Sequence, residues 1–224
     1  MEAKYIDHMG DDLRVANAAR VSFKKESEWV VLPEMPEANT LEEKVLSEKD
    51  EKLIRYLANH NHWTPFSHPQ ITIHEKVPIF VARQRFKHMV GFTYNEVSRR
   101  YVDDAPELFF PKEWRGKPVN AKQGSEGLAD DQDGINKSYD KVMSACLYLY
   151  NAMIKEGVAP EQARMVLPQS MYTEYISTGS LAAYARAYKL RSDDHSQVEI
   201  RELAKQWDEI IRPLFPVSWS ALVG

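Results

Sequence analysis

Residues 70–101 read Gln70-Ile-Thr-Ile-His-Glu-Lys-Val-Pro-Ile-Phe-Val-Ala-Arg-Gln-Arg-Phe-Lys-His-Met-Val-Gly-Phe-Thr-Tyr-Asn-Glu-Val-Ser-Arg-Arg-Tyr101. Over 70–77 the alternation of Ile71, Ile73 and then Val77 across polar neighbours predicts a strand with one buried face. Pro78 suits the first turn of a helix, where the amide hydrogen that proline lacks would have no partner anyway. At about 100° per residue, that helix places Ile79, Ala82, Phe86 and Val90 on a core-facing stripe and Gln84, Lys87 and His88 in a separate polar sector. Gly91 lets the chain leave the helix. Residues 93–101 then run extended or as a loop, which is expected to bring Glu96, Ser98 and Arg100 beside the polar sector. Strand, helix and extended segment in close succession indicate an α/β (α+β) domain.

Ser47-Glu-Lys-Asp50 has the spacing of a capping box, with Asp in the last place, and opens a helix over 47–60 that puts Leu53, Ile54 and Leu57 on one face. The apolar stripe of Tyr139, Val142, Met143, Cys146, Leu147, Tyr150, Met153 and Ile154 predicts a core helix over 136–156, stopped by Gly157. Pro160 starts a short helix, 169–178 form a strand, and Ser180 is a good N-cap for a helix to about 190. A last helix from Asp194 to about Arg212 carries Leu203, Trp207, Ile210 and Ile211 inward. Residues 102–135 lack periodicity and predict a loop-rich insertion.

With 224 residues, 43% of them apolar and 11% aromatic, the chain can bury a core as a single domain over 1–224. Its net charge of −4 supplies no overall positive field for DNA or RNA. The first residues lack an apolar signal core, and no apolar run approaches the roughly 18 residues that span a bilayer. A soluble, cytoplasmic protein with no membrane or nucleic-acid partner is expected. The single cysteine, Cys146, excludes an intramolecular disulfide and a multi-cysteine metal site, and its apolar neighbours predict a buried, inert thiol. His60, His62, His68 and His74 have no accompanying Cys and no His-Glu-x-x-His spacing, so no metal is expected.

Four Arg, one Lys and one His crowd the segment from Arg83 to Tyr101. Such groups form charge-assisted bonds to phosphate oxygens. Standing alone, they fit either a pocket for an anion such as a phosphate ester or a solvated helix face followed by a charged loop. A nucleic-acid-binding module, with Tyr94 and Tyr101 stacking on bases, is a third reading that the acidic total opposes. Ser98 has no paired His and Asp to activate it as a nucleophile.

Five blocks carry a resemblance. Lys87-His88-Met89 is followed after eight residues by Ser98, within Asn95-Glu-Val-Ser-Arg-Arg-Tyr101. The others are Asn17-Ala-Ala-Arg-Val-Ser-Phe23, His60-Asn-His-Trp-Thr-Pro-Phe-Ser-His68, Ala163-Arg-Met-Val-Leu-Pro168 and Leu190-Arg-Ser-Asp-Asp-His195. Together they resemble the flavin-dependent thymidylate synthases, whose signature is Arg-His-Arg followed by Ser, usually within Asn-Glu-x-Ser-x-Arg-Tyr. The resemblance implies a twisted, mostly antiparallel sheet flanked by helices, and a homotetramer with active sites where subunits meet. It implies transfer of a one-carbon unit from 5,10-methylenetetrahydrofolate to C5 of dUMP, giving dTMP, with FAD reduced by NADPH as hydride source.

By the same resemblance, Arg191 is the catalytic cation that stabilises the ionised pyrimidine, a role suited to a fixed guanidinium. The nucleotide contacts implied are Gln84, Lys87, Glu96, Val97, Ser98, Arg99, Arg100 and Arg164, besides Arg191, with Arg100 and Arg164 on phosphate. The FAD contacts implied are Ser22, His62, Thr64, Lys87, His88, Met89, Glu96, Ser180, Leu181, Ala182 and Arg186, with Tyr101 nearby. Two features depart from the family pattern: Lys87 and Met89 replace arginines of the triplet, and Ser180-Leu181-Ala182 stands where Asn-x-Arg is common. These departures admit an alternative, a divergent flavin enzyme that hydroxymethylates C5 of dUMP.

Overall fold

The structure, a computed structural model, describes residues 1–32, 44–102, 104–119 and 124–224. In chain order its elements are β1 (Glu2–Met9), α1 (Asp12–Arg20), β2 (Val30–Val31), β3 (Lys44–Val45), α2 (Glu48–Asn59), β4 (Gln70–Pro78), α3 (Ile79–Arg85) and β5 (Phe92–Glu96), followed by α4 (Gln132–Lys155), α5 (Pro160–Ala163), β6 (Tyr172–Ser180), α6 (Leu181–Arg191), α7 (Val198–Leu214) and α8 (Pro216–Val223). Four strands form an antiparallel sheet in the order β1-β4-β6-β5, and β2 pairs with β3 apart from it. The expected α/β class with an antiparallel sheet and flanking helices is what forms.

Period-2 alternation explains the sheet's inner face. On β4, Ile71, Ile73, Glu75 and Val77 are all fully buried, so the carboxylate of Glu75 occupies the place in the alternation that an apolar residue would fill. The polar face carries Thr72 against Thr178 and His74 against Glu174. Against the inner face lie α6 and α7, whose Leu181, Tyr184, Leu203, Trp207 and Ile211 join Ile54 of α2 and Trp219 of α8 in one apolar core. Each such side chain contributes about 1.5–3 kcal/mol by leaving water.

Local signals set several boundaries. Ser47 caps α2, its Oγ accepting from the Asp50 amide at 3.2 Å, and Ser180 caps α6, its Oγ accepting from the Ala183 amide at 3.2 Å. Other boundaries move. The strand expected over 169–178 is β6, starting and ending later, and the helix expected from Asp194 begins at Val198 after a turn at 192–196. The helix expected at 136 begins at Gln132, because the Asp131 carboxylate accepts from the Gly134 amide at 2.8 Å and opens it inside the stretch read as a loop. Of that predicted insertion, residues 103 and 120–123 lie outside the described residues.

Two expectations are corrected. The helix α4 is not a core helix: only Met143 and Tyr150 of it are buried, and it packs on α5 and the turn after it rather than on the sheet. Its stripe is real, but Val142 is exposed and Cys146 is half-buried rather than buried. The helix from Pro78 also stops at Arg85, with Pro78 as its N-cap. Val90 therefore lies beyond the helix and is 78% exposed instead of facing the core.

Candidate active site

The early end of α3 decides the geometry. Beyond Arg85 the chain turns through residues 86–91 and returns as β5, and this turn presents His88 to the last turn of α6. There Arg191 donates from Nε to His88 Nε2 at 2.8 Å and from Nη2 to the Gln84 carbonyl at 3.1 Å. His88 must then accept at Nε2 and carry its proton on Nδ1. Burial, and after it the guanidinium groups of Arg191, Arg85 and Arg186, push the His88 imidazole down to about 4, so it is neutral at neutral pH. Burial lowers the pKa of Arg191, and among the described residues no charged group offsets this effect. A guanidinium held by a neutral ring and a carbonyl keeps its charge available to an anionic ligand. The Gln84 side chain donates from Nε2 to Gln197 Oε1 at 2.7 Å.

A second group of expected residues gathers elsewhere. Glu96, Val97, Ser98, Arg99 and Arg164 line a cleft of about 490 Å³ together with Arg83 and Phe86 of α3 and its C-cap. Glu96 accepts from the Thr173 hydroxyl at 2.6 Å. Arg99 is held by Asp104 at 2.8 Å. Arg100 and Arg164 converge on Glu161, the first through its carboxylate at 3.7 Å and the second through its carbonyl at 3.3 Å. The expectation that Glu96, Ser98 and Arg100 lie beside Gln84 and His88 is thus corrected: within one chain, Glu96 and Ser98 sit by Arg83 and Phe86 instead. Adjacent residues of a helix point about 100° apart, so Arg83 and Gln84 serve different faces. Tyr101 is exposed, with the Arg100 guanidinium 5.6 Å from its ring centre.

Residues expected to hold flavin divide in a third way. His62, Ala182 and Arg186 line a cleft of about 460 Å³ whose floor includes Leu57, Phe66 and Ala185 and whose cations are Arg186 and Lys189. It shares Trp63, Val90 and Arg186 with an adjoining cleft of about 360 Å³ that adds Gly91 and Ser180. Small alanines, an exposed indole and two cations suit a planar aromatic ring with an anionic pyrophosphate tail, so these residues fit FAD. Arg186 is held toward the site by the Val90 carbonyl at 2.8 Å. Leu181 is fully buried in the core, so its side chain is not open to a ligand. Ser22 and Thr64 are exposed, in a short turn after α1 and just before Pro65, and Lys87 and Met89 are exposed on the 86–91 turn.

Gln197, Thr173, Trp63 and Arg83 join these groups without having been singled out. Gln197 N-caps α7, a position that a helix placed from Asp194 could not expose. Among the described residues, no group of three or more His, Cys, Asp or Glu gathers as a metal site, and no helix is long and apolar enough to cross a membrane.

Known proteins resemble this chain in fold and in sequence. The Thy1 family model, described as thymidylate synthase complementing protein, matches residues 4–217. The flavin-dependent thymidylate synthase of Thermosipho africanus is 35% identical over 223 residues, covering 98% of this chain and 90% of its own. That of a Thermus thermophilus strain is 35% identical over 218 residues, covering 97% of this chain and 74% of its own. Among solved structures, the UMP/dUMP methylase PolB from Streptomyces cacaoi, bound with 5-Br dUMP, superposes with a TM-score of 0.82 at 28% identity, over 98% of this chain and 93% of that one. A second structure of PolB is bound with 5-Br UMP. With the match running through β1, α3 and α7 alike, the chain belongs to the Thy1 family, the flavin-dependent thymidylate synthases.

Proposed function

We propose that this enzyme methylates dUMP reductively to dTMP, with 5,10-methylenetetrahydrofolate as carbon donor and FAD, reduced by NADPH, as hydride source. The observation that carries the reading is Arg191, a half-buried guanidinium braced by neutral His88 and the Gln84 carbonyl. Against the pyrimidine it stabilises the ring ionised at N3, raising electron density at C5 without a thiolate. C5 bonds to the methylene carbon as the donor's two carbon–nitrogen bonds break in turn, and the proton lost from C5 and one proton from solvent end on the two donor nitrogens. FAD, when bound and reduced by NADPH, would supply the hydride that completes the methyl group. His62, Trp63, Ala182 and Arg186 would hold it, with Lys87 and Met89 at its edge.

The separation of Arg191 from the Ser98–Arg164 cleft favours a nucleotide site completed by a second copy, with Arg100 and Arg164 taking phosphate, in a homotetramer. The open apolar face of α4 is consistent with such assembly. A soluble, cytoplasmic setting fits this reading.

The test is anaerobic reduction by NADPH with dUMP and methylenetetrahydrofolate, followed by mass analysis of the nucleotide, with UMP in a parallel reaction. A product heavier by a methyl group supports the proposal, and a hydroxymethyl product selects the divergent alternative. A protein that stays colourless with added FAD overturns both. Arg191→Ala should abolish turnover while FAD remains bound; near-normal turnover refutes its activating role.

A further inference from the structure

One charged pair lies outside all three groups of ligand-facing residues. Glu75 and Arg85 are each 0% exposed. Arg85 donates from Nε to both Glu75 oxygens at 3.2 Å and from Nη2 to Oε1 at 3.2 Å. Tyr175 and Ser177 donate to the same carboxylate at 2.6 and 3.0 Å. The guanidinium carbon lies 4.2 Å from the centre of the Phe92 ring and 4.7 Å from that of Trp207. Replacing such a buried pair by apolar residues of similar volume is often neutral or stabilising, so stability alone does not explain it. Its location does. Arg85 is the last residue of α3, and its Nη1 donates to the Tyr94 hydroxyl, which in turn donates to the His88 carbonyl at 2.7 Å and lies 3.3 Å from the Arg85 carbonyl.

The geometry points to Glu75, Arg85 and Tyr94 as positioning residues for the proposed reaction: they fix the 86–91 turn so that His88 Nε2 meets Arg191 Nε. This inference rests on the role proposed above for Arg191. The path runs from the sheet through Glu75 and Arg85 to Tyr94 on β5, and from there to the backbone of His88. The charged groups facing His88 are Arg191 and Arg186 of α6 and Arg85 of α3. Arg85 thereby also disfavours protonation of the ring that must accept from Arg191.

The test uses the full-length holoenzyme with two variants. Tyr94→Phe keeps the ring and loses the bonds to the turn; Glu75→Leu with Arg85→Met removes the pair. Histidine titration by NMR is the readout independent of activity, and a purely structural role would not move it. In both variants the His88 midpoint should rise from about 4 toward the ordinary histidine value, turnover should fall at least about 10-fold, the loss of one hydrogen bond to a charged group, and the KM for dUMP should change less than kcat. Unchanged His88 titration in Tyr94→Phe overturns the inference, whether or not the double variant folds. A moved titration with no dTMP formed even by the parent enzyme would sustain the positioning device and sink the reaction assigned to it.

Discussion

Replacing Gly91 by alanine should destabilise the protein through two separable effects. Gly91 has φ +80°, where an L side chain costs roughly 1–2 kcal/mol. A Cβ there would also lie 2.9 Å from the Ala183 Cβ and 3.2 Å from the Ser180 Oγ, an overpacking worth about 1–3 kcal/mol. The expected loss is about 2–5 kcal/mol, a large share of the 5–15 kcal/mol typical of a folded domain. Gly157, after α4, is the control. Its φ is +82° and nothing lies within 4 Å of a Cβ built on it, so Gly157→Ala carries the backbone cost alone. The entropy that alanine removes from the unfolded chain is the same at both sites and cancels in the comparison. Urea unfolding at one protein concentration should therefore separate the two variants by about 1–3 kcal/mol, at unchanged m-value. Because Gly91 joins the His88 turn to β5 and lines the proposed flavin cleft, its variant should also bind FAD more weakly. If Gly91→Ala proves no less stable than Gly157→Ala, the packing argument fails.

Three further outcomes are expected. His88 titrates at about 4 in the folded chain against roughly 6.5 unfolded; the unfolded state then binds more protons between these values, so stability falls as pH drops through that window, by an amount reduced by the ring's partial exposure. His88→Gln should flatten that slope in thermal melts, and an unchanged slope would argue against a neutral His88. Burial opposes ionisation of Asp50, but bonds from Ser47, Ser27 and Arg20 outweigh it and hold its pKa below the ordinary value. Its stabilisation is therefore present above roughly pH 4 and lost as pH falls through the lower folded value. Asp50→Ala should cost about 1.5–3 kcal/mol at pH 7, a gap that closes in acid; a gap independent of pH would contradict this account. Cys146→Ser should leave dTMP formation near that of the parent, since the proposed chemistry uses no thiolate, and a loss above about 10-fold in a folded variant would bring the thiol back into consideration.

Legibility from sequence followed the range of the forces involved. Capping at Ser47 and Ser180 and the alternation along β4 are short-range, so α2, α6 and β4 could be placed from neighbours alone. Block order along the chain was enough for the family and for Arg191 as the residue to watch. Burial of polar residues was not legible, because Glu75 and Arg85 carry the same letters whether they face water or each other. β1, α1 and α8 are likewise not legible from their neighbours, since they are fixed by packing on distant segments: the Asp12 carboxylate accepts from the amides of Val217 and Ser218, more than 200 residues along the chain.

The stretch from Gln70 to Tyr101 shows both sides. Its residues by themselves determined a strand, a helix and a concentration of cations. Only the tertiary structure decided that the helix ends at Arg85, that Arg85 is buried against Glu75, and that Arg83 and Gln84 face different groups. The physical reason is that a helix's end and the face a side chain takes depend on what packs against it. Here that is Glu75 from β4 and the Phe92 and Trp207 rings from β5 and α7.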